Sequence, residues 1–500
     1  MRQPRRGVSS SLASSRTRWS LTTFFSLLVL LLTWAFATPR YGAPDELSHT
    51  IKAYGTAHGQ LLGSTTPGQS TLIRMFEVPK GLASGEPWCF ASLPEANAGC
   101  SVAIRDTTMV AAESSAATYP VPFYAVVGTA ARLFGESDYA PAYRLISLLI
   151  SCVVLTFALV LFRAGFGASS AIALLALNPM TVFILASMNP AVVELAGMLV
   201  LWAFFGYLLT RDAPAGRNDL LIASSIGAAL VLVRPVSLPW VAIAFAGYFL
   251  LEWRSLSVLR GQGLRGIAIA AVPLGSAIVL SSIWSRFAGV GLTDDKFVID
   301  APIIDIGRVA LGRSALLLRQ GFGNLGWLDT QLPSGIYGLW IAMLVCVASA
   351  VLFFGDRRTK LLMLGLAVVW IAYPAVYATL ARTPAVWQGR YNLPLLGGLV
   401  VCALIAVTSD QPGAPARQLA RLCAGAFVVI DVVALHQSLR RFMVGASGDI
   451  LLRNPGWRPR FDPWFLLVVN LAAAIALAMT MLSSRDTDNV PAAAPVGPDS

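Results

Sequence analysis

The chain has 500 residues, of which 56 % are hydrophobic and 13 % are charged, and its formal net charge at neutral pH is +11. Soluble domains carry about twice that share of charged residues, so a soluble globular protein of this length is not expected. The positive charge does not indicate nucleic-acid binding, because the sequence has no basic patch interleaved with aromatic residues and no DNA- or RNA-binding motif. Arginines that flank apolar segments account for the charge better.

The first apolar segment, residues 21–38, is long enough to cross a bilayer as a helix. It is longer than the apolar part of a typical signal peptide, and no small-x-small cleavage site follows closely. We therefore predict a retained first transmembrane helix that follows a basic cytoplasmic tail, residues 1–20.

An acidic pair and a histidine come directly after this segment, in the sequence Pro-Asp-Glu-Leu-Ser-His. If a helix begins after Pro44, the side chains of Asp45, Glu46 and His49 are spaced to meet on one surface. Two carboxylates beside an imidazole are suited to proton chemistry, and they are also able to hold a divalent cation. The alternative is that Asp45 only caps the helix.

A polar stretch rich in Gly, Pro and Ser follows, and with the next apolar piece it predicts an extracytoplasmic subdomain over residues 39–141. Cys89 and Cys100 are the only cysteines outside apolar segments, and in an oxidising compartment they are able to form a disulfide. The sequence does not decide whether this disulfide forms. Residues 121–134 are apolar but too short to span comfortably, so they are expected to be re-entrant or interfacial.

Eleven further apolar segments make about twelve predicted transmembrane helices, with 11 to 13 as the range. They cover residues 143–162, 168–186, 191–209, 220–233, 236–251, 266–284, 336–354, 361–380, 393–408, 419–436 and 464–482. The two segments that flank Arg234-Pro235 are short and are also compatible with one kinked helix. The predicted fold is thus all-α and polytopic, with a core over residues 142–482 and a disordered tail, 483–500.

The charges of the short loops predict the orientation. Arginines and lysines recur in the loops that the count places in the cytoplasm, which puts both termini there and the protein in the plasma membrane. The same count places the loops 286–334, 382–390 and 438–462 outside. The last of these carries Arg440, Arg441, Arg453, Arg458 and Arg460, against the rule. Either a helix is miscounted, or these arginines form a basic rim that attracts a lipid phosphate.

Polar residues in three places indicate a binding site. Arg234 lies between two apolar halves, where an ionisable residue is a functional candidate unless it extends to the headgroups. Trp327 and Asp329 form a Trp-x-Asp sequence suited to a sugar, although interfacial tryptophans are common. Arg390 and Tyr391 follow a glycine that permits close backbone approach, which suits a phosphate or pyrophosphate group.

Six short motifs follow one another along the chain. The pieces Pro-Asp-Glu-x-x-His, Tyr-Pro-x-Pro-x-Tyr, Asn-Pro, Arg-Pro, Gly-Trp-Leu-Asp-Thr-x-Leu-Pro and Gln-Gly-Arg-Tyr begin at residues 44, 119, 189, 234, 326 and 388. Over residues 20–440 the chain resembles a family of predicted bacterial membrane proteins, domain of unknown function 2142, which in turn looks like the GT-C superfamily of glycosyltransferases. It departs from the expected pattern at Ala191, where an acidic residue would follow Asn189-Pro190, and Glu194 is not an obvious replacement.

The resemblance implies an enzyme that transfers a sugar from a polyprenyl-phosphate donor to an extracytoplasmic acceptor without a nucleotide. In this reading Asp45 or Glu46 is the base, with Asp45 preferred, and His49 orients the carboxylate or protonates the phosphate. Arg390 stabilises the leaving phosphate, joined by Arg234 or Arg382 if they reach it. The expected substrate-binding residues also include Tyr124, Asn189, Trp327, Asp329, Gln388 and Tyr391. A direct displacement inverts the anomeric configuration.

Other functions have sequence signatures of their own. No Walker A motif and no GxGxxG motif accompanies a strand-helix pattern, so ATP and NAD are not indicated. A cation such as Mg²⁺ or Mn²⁺ on Asp45, Glu46 and His49 is compatible with the spacing but is not required by it. The main alternative is a transporter or flippase of lipid-linked sugars, and a non-catalytic membrane protein of envelope assembly is the third. The identities of the sugar, the acceptor and the polyprenol are not readable.

Overall fold

The computed structural model describes residues 6–66, 70, 72–134, 140–261, 263–290, 298–384, 387–408 and 413–483. Parts of the predicted terminal tails, 1–5 and 484–500, and of two predicted outer loops, 291–297 and 385–386, lie outside these residues.

The described chain is mostly helical, and the helices are named α1 to α18 in chain order. The first nine are α1 Arg6–Ala37, α2 Glu46–Ala57, α3 Lys80–Ala83, α4 Val121–Ala131, α5 Ala140–Phe166, α6 Pro179–Leu185, α7 Ala191–Leu209, α8 Arg217–Val233 and α9 Leu238–Leu251. The others are α10 Arg254–Gly261, α11 Gly263–Ala288, α12 Ile303–Gly312, α13 Ser314–Gly323, α14 Ser334–Phe354, α15 Arg357–Leu380, α16 Leu396–Thr408, α17 Ala414–Val444 and α18 Pro463–Leu482. The predicted all-α, polytopic fold class is confirmed.

The predicted count of twelve spans is not confirmed. Within the described ranges, nine helices are long and apolar enough to cross a membrane, or ten if the bent pair that contains α9 and α10 is one span. The predicted span 168–186 is instead a 3₁₀ helix, Gly167–Ala176, and the short helix α6. Every residue from 169 to 192 is buried, so the apolar character of this stretch reflects packing inside the protein.

The first helix is longer than the predicted apolar segment 21–38. Helix α1 already begins at Arg6, and its candidate membrane span is Thr17–Ala37. In its second half, the indole Nε1 of Trp34 donates a hydrogen bond of 3.0 Å to Asp431 on α17. Asn470 on α18 donates one of 3.0 Å to Thr33. Helix α1 is therefore an integral part of the bundle.

The subdomain after α1 combines helices α2 and α4 with a two-stranded antiparallel sheet. Strand β1, Arg74–Pro79, pairs with β2, Met109–Ser114. Helix α4 packs on α2 so closely that a β-carbon at Gly128 would overlap the carbonyl oxygen of Ala53. The short apolar segment 121–134 therefore packs inside the subdomain, against α2.

The basic loop 445–462 lies on the same side of the bundle as this subdomain. Ala446 N donates to the carbonyl oxygen of Pro94 at 2.8 Å, and the buried guanidinium of Arg441 donates to the carbonyl oxygens of Phe90 and Ala96. A disulfide joins Cys89 to Cys100 and closes the segment that makes these contacts. The basic loop and the subdomain therefore lie at the same end of the bundle.

Candidate active site

A small cavity lies where α2 faces the ends of the membrane helices, and its walls come from remote parts of the chain. The polar side chains that line it belong to Asp45, His49, Tyr119, Asn189, Glu194, Arg234, Arg390 and Tyr391. Its volume of about 20 Å³ corresponds to roughly one water molecule. The described conformation is thus nearly closed, and a larger ligand requires movement of the walls.

Asp45 occupies the N-cap position of α2, but its side chain forms no cap hydrogen bond. Its backbone is left-handed, with φ of 63°, a conformation that Asp tolerates better than most residues. The carboxylate turns away from the helix, and its Oδ2 accepts a hydrogen bond of 2.7 Å from Nη2 of Arg390. The interpretation of Asp45 as a cap alone is therefore wrong.

Arg390 reaches Asp45 from the 3₁₀ helix Gly389–Leu395. Its side chain is only 6 % exposed, whereas that of Asp45 is 41 % exposed. A β-carbon at Gly389 would overlap the carbonyl oxygen of Leu317, so the glycine permits close approach to another part of the protein backbone. Nη1 of Arg390 is buried and has no hydrogen-bond partner among the described residues. The Nη1 group of this guanidinium thus remains for a ligand.

Arg234 adds a second guanidinium to the cavity. It lies at the break between α8 and the 3₁₀ helix Pro235–Ser237, and it is buried rather than extended towards the headgroups. Its Nη1 donates to Glu194, which also accepts a hydrogen bond of 2.9 Å from Ser237. The guanidinium carbon lies 5.3 Å from the centre of the Tyr391 ring. Glu194 thus neutralises Arg234 and holds it at the cavity.

His49 lies one turn along α2 from Asp45, and its Nδ1 is 2.8 Å from the hydroxyl of Tyr124. Burial lowers the pKa of His49 to about 3, because it outweighs the opposing effect of the Asp45 carboxylate. The imidazole is therefore neutral near pH 7. The predicted role of His49, orienting the carboxylate or protonating the phosphate, stays a prediction.

The ionisation of Asp45 is governed by the opposing effects of burial and of the arginines. Burial raises its pKa, but the positive charge of Arg390 more than compensates, and the net pKa is lowered. Asp45 is therefore a carboxylate at neutral pH. It becomes a stronger proton acceptor when Arg390 is engaged elsewhere.

Glu46 does not join Asp45 at this cavity. Its carboxylate forms a bidentate ion pair with Arg144, at 2.7 and 2.5 Å, and accepts a hydrogen bond of 3.1 Å from Met188 N. The left-handed backbone at Asp45 and the rotation of about 100° between helical neighbours direct the two side chains to different faces. The expectation that both acids and His49 share one surface, as proton-transfer groups or as cation ligands, is wrong. Over the described ranges, no cluster of three His, Cys, Asp or Glu residues has the arrangement of a metal site.

The predicted sugar-binding pair, Trp327 and Asp329, lies outside the cavity. Asp329 forms an ion pair of 2.8 Å with Arg441 and accepts a hydrogen bond from Ser92 N at 3.1 Å. The indole of Trp327 donates to the carbonyl oxygen of Tyr41. Asp329 thus joins Ser92 of the disulfide-closed segment to the buried Arg441 of α17.

Three other residues that were expected to bind the substrate differ in their position relative to the cavity. Asn189 lines the cavity, but its Oδ1 accepts a hydrogen bond of 2.9 Å from Ala191 N, as a helix cap does. Gln388 is not a lining residue. Arg382 is half-exposed and lies 3.5 Å from Asp300, away from the cavity.

Tyr119 and Glu194 line the cavity but were not among the predicted site residues. Tyr119 begins the Tyr-Pro-x-Pro-x-Tyr motif, of which only the last tyrosine was predicted to bind substrate. Glu194 is an isolated acid in an apolar helix, and this property was a usable signal.

Crystal structures of ArnT from Cupriavidus metallidurans are similar to this chain. The structure bound to undecaprenyl phosphate is 12 % identical with a TM-score of 0.44, and the alignment covers 92 % of this chain and 77 % of that chain. For the apo structure the identity is 14 %, the TM-score is 0.43, and the coverage is 94 % and 78 %. A comparison with curated proteins found no match.

The family comparison covers more than half of the chain. The family model described as a predicted membrane protein, DUF2142, matches residues 28–399, a range that contains Asp45, Arg234 and Arg390. The resemblance inferred from the motifs is thereby confirmed, and the chain belongs to this family of multi-pass membrane proteins.

Proposed function

We propose that this protein is a membrane glycosyltransferase that transfers a sugar from a polyprenyl-phosphate donor to an envelope acceptor on the extracytoplasmic side. The observation that carries the proposal is the contact between Asp45 and Arg390, which are far apart in the chain and meet at one cavity. A carboxylate beside two guanidiniums is the combination that proton removal and departure of a phosphate require.

The reaction is a direct displacement at the anomeric carbon. Asp45 accepts the proton of the acceptor hydroxyl, whose oxygen forms the new bond to the sugar. The bond from the sugar to the phosphate oxygen breaks, and the electron pair leaves with the lipid phosphate. Arg390 and Arg234 stabilise the charge of that phosphate, and attack opposite the leaving group inverts the configuration.

The ion pair of Asp45 and Arg390 is the resting arrangement in this mechanism. A donor phosphate competes for Arg390, whose Nη1 already lacks an acceptor within the described chain. As Arg390 moves towards the phosphate, Asp45 loses the partner that lowers its pKa and becomes a better base. In this mechanism, binding of the donor thus makes Asp45 ready to take the proton of the acceptor hydroxyl, and it also opens the cavity.

The experiment is complementation of a deletion strain with the wild type or with Asp45→Asn, followed by analysis of envelope glycans and lipid-linked sugars. We expect Asp45→Asn to lower transfer by about 10²-fold to 10⁴-fold, the usual contribution of a general base, and to accumulate the lipid-linked sugar. Asp305→Asn, which changes an exposed acid paired with Arg308, is the matched control. Full rescue by Asp45→Asn at wild-type protein levels would exclude the proposed chemistry.

A transporter or flippase of lipid-linked sugars is the second candidate. The buried pair of Arg234 and Glu194 beside a broken helix is a feature that transporters share. Purified protein in vesicles distinguishes the two. A transporter moves the lipid-linked sugar across the bilayer unchanged, whereas a transferase produces free lipid phosphate and a glycosylated acceptor.

A further inference from the structure

A second cavity of about 200 Å³ lies at the end of α1 and shares no lining residue with the first. Its walls include Phe36, Arg40, Glu46, Arg144, Trp457 and Arg460. From its charge and position, we infer that this cavity binds the phosphate group of an anionic amphiphile. The inference does not depend on the proposed sugar transfer.

The charges in this cavity do not balance. All five N–H groups of Arg144 have acceptors: the two oxygens of Glu46 and the carbonyl oxygens of Ala35, Thr38 and Pro39. Arg144 and Glu46 thus form a satisfied, neutral pair. Among the described residues, Arg40 and Arg460 have no carboxylate partner. The cavity therefore presents two positive charges to a ligand.

Arg40 is fixed in position by one half of its guanidinium. Its Nη2 donates to the carbonyl oxygens of Gly81 and Leu82 at 2.7 and 2.9 Å. Its Nε is buried and lacks an acceptor in the described part of the chain. A buried donor without an acceptor is costly, and a phosphate oxygen is the acceptor that matches a guanidinium best.

The other walls favour a ligand with an apolar part. Phe36 and Trp457 line the cavity, and Phe36 packs edge-to-face on Phe461, with ring centres 4.9 Å apart. Phe36 lies in the last turn of the candidate span Thr17–Ala37, so the cavity begins where the chain leaves the membrane. An amphiphile can place its phosphate between Arg40 and Arg460 while its acyl chains stay in the bilayer. A free anion would not use the aromatic wall.

The test is binding of dioleoyl phosphatidic acid to the purified full-length protein in detergent, measured by native mass spectrometry. Dioleoyl phosphatidylcholine is the comparison, because its quaternary ammonium cancels the charge of its phosphate and leaves no net charge. Inorganic phosphate is added as a competitor. We expect Arg460→Gln to bind phosphatidic acid about tenfold more weakly than the wild type, the scale of one lost charged hydrogen bond. Arg458→Gln removes an exposed arginine that does not line the cavity, and it should bind like the wild type.

Equal affinities of the wild type, Arg460→Gln and Arg458→Gln would overturn the inference, as would equally tight binding of phosphatidylcholine. Full competition by millimolar inorganic phosphate would show that the apolar part adds nothing and would overturn the amphiphile assignment. A photoactivatable phosphatidic acid gives an independent location for the lipid. Crosslinks in residues 453–461 or 36–41 support the site, and crosslinks confined to other segments reject it.

Discussion

Asp45 and Glu46 show how far two neighbouring acids can differ. Glu46 is 2 % exposed and fully engaged by Arg144, so it has no lone pair directed at the first cavity. Asp45 is half-exposed and holds a single contact with Arg390. Of the two acids, Asp45 is therefore the one that is able to change partner when a ligand enters the first cavity.

Glu46→Gln should primarily reduce stability. It leaves the mostly buried guanidinium of Arg144 without its anion, a change that typically costs about 3 to 5 kcal/mol. Asp305→Asn, which changes an exposed acid paired with the exposed Arg308, should change stability much less, because water screens that pair. Thermal unfolding of both purified variants measures this. Similar unfolding temperatures for the two variants would contradict the assignment of Glu46 to a structural pair.

His49 should make the protein less stable in mild acid. Its pKa is about 3 in the folded protein, against an ordinary value of 6.5, so between these values the unfolded chain binds a proton that the folded chain does not. Stability therefore falls as the pH decreases from about 6.5 towards 3, by roughly 2 kcal/mol at pH 5. The wild type should lose this stability relative to His49→Gln when unfolding is followed from pH 7.5 to 5. Parallel curves would show that His49 is protonated in the folded protein.

Among the elements, α1, α17 and α18 are joined by polar contacts inside the bundle. Asp431 accepts a hydrogen bond from Trp34, while Oδ2 of Asp431 and Oδ1 of Asn470 have no partner in the described chain. Asp431 also has no cation beside it among the ion pairs of the described residues. These contacts indicate that Asp431 joins α17 to α1.

Asp431→Asn should be at least as stable as the wild type. The amide oxygen still accepts from Trp34, and the substitution removes a buried acid that has no cation beside it among the described residues. Asp431→Leu instead leaves the buried indole N–H of Trp34 unpaired, which costs about 1 to 3 kcal/mol. Thermal unfolding in detergent compares the variants. A clear loss of stability in Asp431→Asn would indicate that the charge itself is needed.

The short helices show that an apolar sequence does not always predict a membrane span. Residues 168–186 have the composition of a membrane span, but Asn178-Pro179 interrupts the helix and the neighbouring helices bury the whole stretch. Hydropathy does not distinguish contact with lipid from contact with other helices. Helices α8 and α9 are likewise shorter than a span because the chain breaks at Arg234-Pro235.

Over the whole molecule, the subdomain and the loop 445–462 form one continuous face. The disulfide-closed segment 89–100 contacts this loop through backbone hydrogen bonds and through Arg441. Both cavities are lined by residues at the start of α2, Asp45 and His49 in the first and Glu46 and Thr50 in the second. Helix α7 begins at the first cavity and ends at Leu209, so the loop that follows lies at the other end of the bundle.

This arrangement predicts the result of labelling in intact cells with a membrane-impermeant maleimide. Val102→Cys and Ile450→Cys place thiols at positions that are 66 % and 61 % exposed on the common face, and both should react if that face is extracytoplasmic. Asp212→Cys lies in the loop after α7 and should react only after the membrane is permeabilised. Labelling of Val102→Cys and Ile450→Cys from opposite sides would contradict the fold, and labelling of Asp212→Cys alone would reverse the orientation.

The sequence by itself determined the membrane class and the helical fold, and it indicated Asp45, Arg234 and Arg390, which line one cavity. These are properties of local composition, because an apolar run of sufficient length becomes a helix in the bilayer and a charge within it must be used or paired. The sequence did not determine the direction of each side chain. Asp45 and Glu46 face different cavities because one backbone angle is left-handed and because Arg144 is placed to bind Glu46.

The tertiary structure also decided which charged side chains are neutralised by ion pairs within the protein. Asp329 and Arg441 both suggested ligand binding from the sequence, but in the folded protein they neutralise each other. A partner more than a hundred residues away leaves no periodic or local signal, so the sequence cannot separate a paired charge from an available one. That distinction depends on the packing that brings the two side chains together, and only the folded chain contains it.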